Sequence, residues 1–202
     1  MLLFLTIIIS ILQYFIEGLR WQFYIFIYFL PAIYIYHIKQ KNHIHFIIKT
    51  FFSFWFLLAL VVPYIIPVFS LPSPQGKNFV GTETFHWVDS SRLEWFTDEK
   101  SNDYREIMTQ IWYPGSNQQN KKVEPYMDFI KLRSRTIAEA GNLPSFFPSH
   151  LNFTKTNSYH EIPCSDKKGG LPIVVFSHGI TGSRHLHQAL FEHLSSQGYV
   201  VV

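Results

Sequence analysis

The sequence predicts a chain of class α/β preceded by about three transmembrane helices. Three observations carry this. Long uncharged apolar runs fill the first 70 residues. Near the other end, PIVVFSHGITGSR (172–184) is followed by an amphipathic stretch and then GYVVV (198–202), which reads as strand, tight loop, helix, strand. Charge is divided unevenly between the two parts: residues 1–80 hold five Lys/Arg and one acid, and residues 81–202 hold 12 Lys/Arg and 13 Asp/Glu. The expected organisation is transmembrane helices over 1–70, a linker over 71–80, and an incomplete α/β domain over 81–202.

Leu2–Ile16, Trp21–Tyr36 and Thr50–Pro72 contain no charged residue. A helix needs about 20 residues to cross about 30 Å of hydrocarbon. The third run satisfies this outright, and the first two need flanking residues or local thinning of the bilayer. Pro31 would kink the second helix, and Pro63 and Pro67 lie near the end of the third; membrane helices tolerate both. Trp21, Tyr34, Tyr36 and Tyr64 fall where interfacial rings are enriched. A cleaved signal peptide would need a basic first segment and a small-residue cleavage site, and neither is present. Buried helices of a water-soluble core would need polar stripes at helical spacing, which these runs lack. The second loop, HIKQKNHIHFIIK, holds Lys39, Lys41 and Lys49, which place it in the cytoplasm. A multi-pass membrane protein follows, with everything after about Leu71 extracytoplasmic. His37, His43 and His45 of that loop lack a partner Cys or acid at ligand spacing, so they read as interfacial histidines. SLPSPQGKN (70–78) has the composition of a linker.

The basic balance comes from the N-terminal part, so it gives no reason to expect nucleic acid as a partner. The single cysteine, Cys164, excludes an intrachain disulfide and reads as a small, half-buried residue.

Over 81–114 the pattern suggests a β-meander: Thr82–Val88, a turn at Asp89-Ser90-Ser91, Arg92–Phe96, a polar turn over 97–103, then Ile107–Tyr113 stopped by Pro114-Gly115. Residues 115–123 read as a solvated loop. Tyr126–Ala140 looks helical. Residues 141–159 hold two prolines and scattered aromatics and resemble a cap or lid more than a regular element. Asn152-Phe153-Thr154 fits the glycosylation acceptor pattern and is assigned no role. Leu171–Phe176 is a continuous apolar run, the pattern of a strand buried on both faces. Ser183 is the expected N-cap of a helix reaching about Gln197, with Leu186, Ala189, Leu190 and Leu194 as its apolar stripe. Gly198 suits the left-handed position that ends a helix.

The chemistry lies in Ser177–Ser183. Acyl transfer builds an oxyanion, which needs backbone N–H groups aimed at one point. Gly179 can supply a backbone angle closed to other residues, and the following amide, of Ile180, is the natural donor. His178 reads as structural rather than as a general base. The Gly179–Gly182 spacing lacks the G-K-[ST] ending of a phosphate loop. His185 and His187 are two residues apart and point to different helix faces, so no metal is expected, and no cofactor either.

Strand, His-Gly loop, helix and strand in this order resemble the opening of an α/β-hydrolase. YREIMTQIWYP (104–114), LPSFFPSHLNFTKTNSYHEIP (143–163) and LPIVVFSHGITGSRHLHQALFEHLSSQGYVVV (171–202), taken together, are similar to the platelet-activating factor acetylhydrolase family of the plasma and type II kind, and look closest to its bacterial membrane-anchored relatives. The resemblance implies a serine esterase with a Ser-Asp-His triad, a phospholipid or small-ester substrate, and no metal. It carries the family's oxyanion donor onto Ile180, in the loop containing Gly179. No G-x-S-x-G elbow occurs in the 202 residues, so the triad maps onto nothing here. Two parallel strands do not complete such a sheet, and the natural protein is expected to continue past Val202. Two other readings stay open: a non-catalytic membrane-anchored binding module or degenerate hydrolase, and a multispan protein with an accessory soluble part.

Overall fold

The computed structural model describes residues 2–18, 20–25, 27, 46–95, 103–118, 121–165, 169–180 and 182–202. Most of the second apolar run lies outside these residues, with Pro31, Tyr34 and Tyr36. So do Lys39, Lys41, His37, His43 and His45, and most of the turn expected over 97–103.

The chain divides into two compact units, 1–69 with 127–154, and 70–126 with 155–202. In the first, the apolar runs form helix α1 (Leu2–Glu17) and helix α2 (Phe46–Ile65). Among the described residues no helix is long and apolar enough to cross a membrane. α1 has 16 residues, about 24 Å of rise, and α2 carries Lys49 within its 20 residues. The three expected spans are not confirmed, although the described parts of the three runs are helical at Leu2–Glu17, residues 21–25 and 27, and Phe46–Ile65. Helix α3 (Ile130–Ala140) and a 3-10 helix (Phe147–Phe153) also belong to this unit. The Trp21 indole N–H donates to the Phe147 carbonyl (2.9 Å), and its ring lies 5.2 Å from that of Phe147 and 5.4 Å from that of Phe146. The Trp55 indole N–H donates to the Ile25 carbonyl (2.9 Å).

The second unit is a mixed six-stranded sheet in the order β3-β4-β1-β2-β6-β5. Its strands are β1 (Phe79–Leu93), β2 (Tyr104–Gly115), β3 (Val123–Pro125), β4 (Lys155–His160), β5 (Ile173–Val174) and β6 (Val200–Val201). β1 and β2 form a long antiparallel hairpin, β4 runs parallel to β1, and β5 runs parallel to β6. The expected meander of three strands is thus two. Asp89-Ser90-Ser91 does not turn the chain; it makes a register shift inside β1, between Asp89 and Leu93. The Asp89 carboxylate accepts the Ser91 N–H (3.0 Å), the Ser91 hydroxyl (2.6 Å) and the Arg92 guanidinium (2.6 Å). A local side-chain motif has absorbed the turn signal as a bulge. These bonds, the Ser91 hydroxyl first, lower the Asp89 pKa to about 2.

β4 and β3 were not expected from the sequence. β4 alternates, but its inward residues are Thr156 and Ser158 rather than aliphatic ones. Their hydroxyls find partners: Thr156 donates to the Glu124 carbonyl (2.5 Å), and Ser158 to the Glu192 carboxylate (2.7 Å). The linker is pinned rather than free. Gly76 N–H donates to the Ser196 hydroxyl and Asn78 N–H to the Ser196 carbonyl. A Cβ at Gly76 would lie 2.0 Å from that carbonyl oxygen, so only glycine allows the approach. Cys164, expected half-buried, is exposed.

Helix α4 (Gln188–Ser196) starts later than expected, with His187 as its N-cap residue. Ser183 does not cap it; its hydroxyl accepts the His185 N–H at 3.4 Å. The buried face is also different. Leu186 and Leu190 are exposed, while Gln188, Phe191, Glu192, Ser195 and Ser196 are buried. Phe191 joins Val80, Trp112 and Val201 in the core, with Leu194 and Val174 packed against it. Its ring centroid is 4.9 Å from that of Trp112 and 4.9 Å from that of Phe176. Gly198 has φ +106°. The Gly198 N–H reaches Ser195 O and the Tyr199 N–H reaches Leu194 O, the paired bonds of a Schellman motif. The expected helix stop is borne out.

Candidate oxyanion loop

The parallel pair β5–β6 fixes where the loop begins. Val200 N–H donates to Pro172 O, Val202 N–H to Val174 O and Phe176 N–H to Val202 O, all at 2.8–2.9 Å. β6 in turn pairs with β2 at Trp112↔Val201. The chain leaves the sheet after Phe176 and turns at once: Gly182 N–H donates to Gly179 O (2.8 Å), closing a four-residue turn with Ile180 at its second position.

The Gly179 carbonyl carries a second bond, from His178 Nδ1–H (2.9 Å). This requires the tautomer protonated at Nδ1. Two donors therefore hold one carbonyl oxygen. The peptide joining Gly179 to Ile180 is planar and trans, and there are no cis bonds among the described residues. Its N–H must point opposite to its C=O. Clamping the Gly179 oxygen thus aims the Ile180 N–H away from the turn interior, and that N–H has no hydrogen-bond partner among the described residues. Its side chain is fully exposed.

The glycine that sterics demand is not the one the sequence singled out. The φ of Gly179 lies outside the left-handed region, and a Cβ there would meet nothing within 4 Å. At Gly182 a Cβ would lie 2.9 Å from His178 Cβ and 3.1 Å from Gly179 O. Gly182 lets the turn close beneath His178. The expected special backbone angle at Gly179 is therefore absent, although the residue occupies the expected loop.

Beyond the turn, Arg184 Nε donates to Gln110 Oε1 (3.0 Å), and Gln110 Nε2 donates to Thr82 Oγ1 (3.1 Å). None of these three residues was singled out from the sequence. A signal existed at Gln110: in IMTQIWY it shares the inward face with Trp112. His185 is buried, its ring 6.4 Å from that of Tyr126, whose phenol burial pushes up in pKa. Among the described residues there is no group of three or more His, Cys, Asp or Glu that could hold a metal ion.

Comparisons with known proteins bear on the family and the fold. The family model of platelet-activating factor acetylhydrolase, isoform II, matches residues 71–202. Among solved structures, a ferulic acid esterase from Streptomyces cinnamoneus is similar over 66% of this chain, at 29% identity and a TM-score of 0.51. The match covers 35% of that esterase, so the chain spans about a third of its length. No curated protein matches. The mixed sheet is that of an α/β-hydrolase in part, and the chain belongs to the platelet-activating factor acetylhydrolase isoform II family.

Proposed function

We propose that this chain supplies one half of the oxyanion site of a serine carboxylic-ester hydrolase of the platelet-activating factor acetylhydrolase type, acting on phospholipid or another small ester. The nucleophile would lie beyond Val202. The observation that carries the reading is the clamped Gly179 carbonyl, which turns the Ile180 N–H outward with its hydrogen unused. In this fold class one oxyanion donor follows the nucleophile and the other comes from the loop after strand β3. The loop after β5 of this chain corresponds to the latter. The substrate would bind with its carbonyl oxygen at Ile180, and charge developing there on attack would be met by a donor already in place. His178 takes no proton in this reading. It holds the Gly179 carbonyl.

The N-terminal part would hold the enzyme at a membrane, in several passes and with the hydrolase side extracytoplasmic. Large apolar side chains on α1 and α2 favour lipid contact: Phe4, Phe15, Ile16, Phe54, Leu57 and Tyr64 are all exposed. Apolar patches of that extent on a water-soluble protein mark an interaction surface.

The test uses the natural-length gene product in isolated membranes, with a soluble short-chain ester and a serine-reactive phosphonate. Turnover with covalent labelling supports the hydrolase. Neither turnover nor labelling would leave the non-catalytic binding module instead. Release of the protein by alkaline carbonate would refute membrane integration.

A further inference from the structure

The turn that presents Ile180 is only as rigid as its two ends. One end is the sheet, through β5. The other end leads directly into Arg184, two residues past Gly182, and Arg184 is tied to the hairpin through a buried side-chain relay. Gln110 and Thr82 are 5% and 1% exposed. They lie on the same face of the β1–β2 ladder, where Thr82 faces Trp112 and Gln110 faces Thr84 across the strands. The Gln110 amide can satisfy both neighbours in one orientation only: its oxygen toward the Arg184 guanidinium and its nitrogen toward the Thr82 hydroxyl. Packing does not call for this. The adjacent core of Val80, Trp112, Phe191 and Val201 is apolar, and an aliphatic side chain at position 110 would extend it. A buried polar relay adds directionality that apolar packing lacks.

We propose that Arg184 is a positioning residue of the ester hydrolase, setting the Ile180 N–H through Gln110 and Thr82. This rests on the reading of Ile180 as an oxyanion donor. Arg184 itself touches no reacting atom. Its charge-assisted bond to Gln110 fixes the exit of the turn, as the β5–β6 bonds fix its start. Lysine would not replace it, because a single ammonium lacks the planar Nε–H that meets the amide oxygen from the side.

The experiment uses the natural-length protein and four variants: Arg184→Gln, Arg184→Lys, Gln110→Leu and Gln110→Glu. kcat, KM and thermal midpoint are measured with a soluble short-chain ester. Glutamate at 110 keeps an acceptor for Arg184, and a second oxygen can accept the Thr82 hydroxyl. The expected result is a kcat about tenfold to a hundredfold lower in R184Q, R184K and Q110L, the range for a misplaced catalytic constellation. KM should stay within about twofold, since an interaction felt only in the transition state leaves ground-state binding alone. Q110E should restore most of kcat. Unchanged kcat in R184Q overturns the proposal. So does a kcat loss that merely follows a fall in thermal midpoint, or a Q110E variant as impaired as Q110L. A wild-type protein without turnover refutes the hydrolase reading itself, which the wild-type control separates from failure of the relay.

Discussion

Replacing Glu192 by alanine removes the acceptor around which strand β4 is built. The Glu192 side chain is fully buried. Its Oε1 accepts the Asn157 N–H (3.0 Å), the Ser158 hydroxyl (2.7 Å) and Gln188 Nε2 (3.2 Å), and its Oε2 accepts Asn157 Nδ2 (2.9 Å). In E192A the Ser158 hydroxyl, the Asn157 N–H and Gln188 Nε2 lose this acceptor, while Asn157 Nδ2 keeps the Pro72 carbonyl. Each stranded donor costs about 1–3 kcal/mol, so the three together cost roughly 3–9 kcal/mol before any cavity is counted. That is a large share of the about 5–15 kcal/mol that holds a domain folded. A loss of about 3 kcal/mol lowers the thermal midpoint by roughly 10–20 °C in a domain of this size. The assay is thermal unfolding in detergent, followed by near-ultraviolet circular dichroism, with hydrogen exchange at Asn157 and Ser158 as the local readout. Taking away acceptor and donor together is much less costly than stranding one, so Glu192→Leu combined with Ser158→Ala should recover part of the loss. A midpoint for E192A within about 2 °C of wild type would refute the reasoning. So would a double variant no better than E192L alone.

Further outcomes follow from single positions. Gly182→Ala should lower ester turnover by about tenfold or more through a displaced turn, whereas Gly179→Ala should leave it nearly unchanged; parallel steady-state assays decide between the two glycines. Gly76→Ala drives a Cβ into the Ser196 carbonyl and should free the segment around Asn78, read as faster hydrogen exchange of the Asn78 amide. Gly198→Ala places a side chain at φ +106° and should cost about 1–2 kcal/mol in chemical unfolding. The Asp89 carboxyl should titrate near 2, against 3.8 for a free one. Its folded pKa is depressed, so its contribution to the hairpin is present above about pH 4 and is lost as the pH falls toward 2. Ser91→Ala should move the titration back up, as followed by carboxyl carbon NMR.

The parts legible in the sequence are those where apolar pattern and chain conformation agree. The strand–loop–helix–strand unit at 171–202 has an apolar run, a glycine stop and a second apolar run, and the Schellman end at Gly198 follows from them; the first run, expected to be a strand buried on both faces, instead supplies the outermost strand β5 of the six, with Ile173 and Val175 exposed. The helices at 2–17 and 46–65 follow from uncharged runs. What escaped notice was built from polar residues turned inward. β4 buries Thr156 and Ser158 because a carboxylate two elements away in the chain, Glu192, satisfies one of them. Helix α4 buries Gln188, Glu192 and Ser195 and leaves Leu190 exposed, as is Leu186 ahead of it, while Leu194 packs on the core, so of the leucines in the expected stripe only Leu194 lies on the buried face. Of the loop, the motif pointed to Gly179 and Ile180, but the clamp on the Gly179 carbonyl and the steric need at Gly182 are three-dimensional facts. Arg184 could not be linked to Gln110 without the pairing of β6 with β2.

The most direct test of the central claim is to delete one hydrogen. Ile180 sits at the second position of its turn, where proline is favoured, so Ile180→Pro removes the N–H while the backbone keeps its course. Ile180→Ala is the control. With the natural-length protein and a soluble ester, the account predicts that I180P loses about 10²–10³ in kcat, the usual worth of one oxyanion donor, while I180A stays close to wild type. An I180P enzyme that turns over within about threefold of wild type would contradict it, because the amide then does no more than pass the chain along.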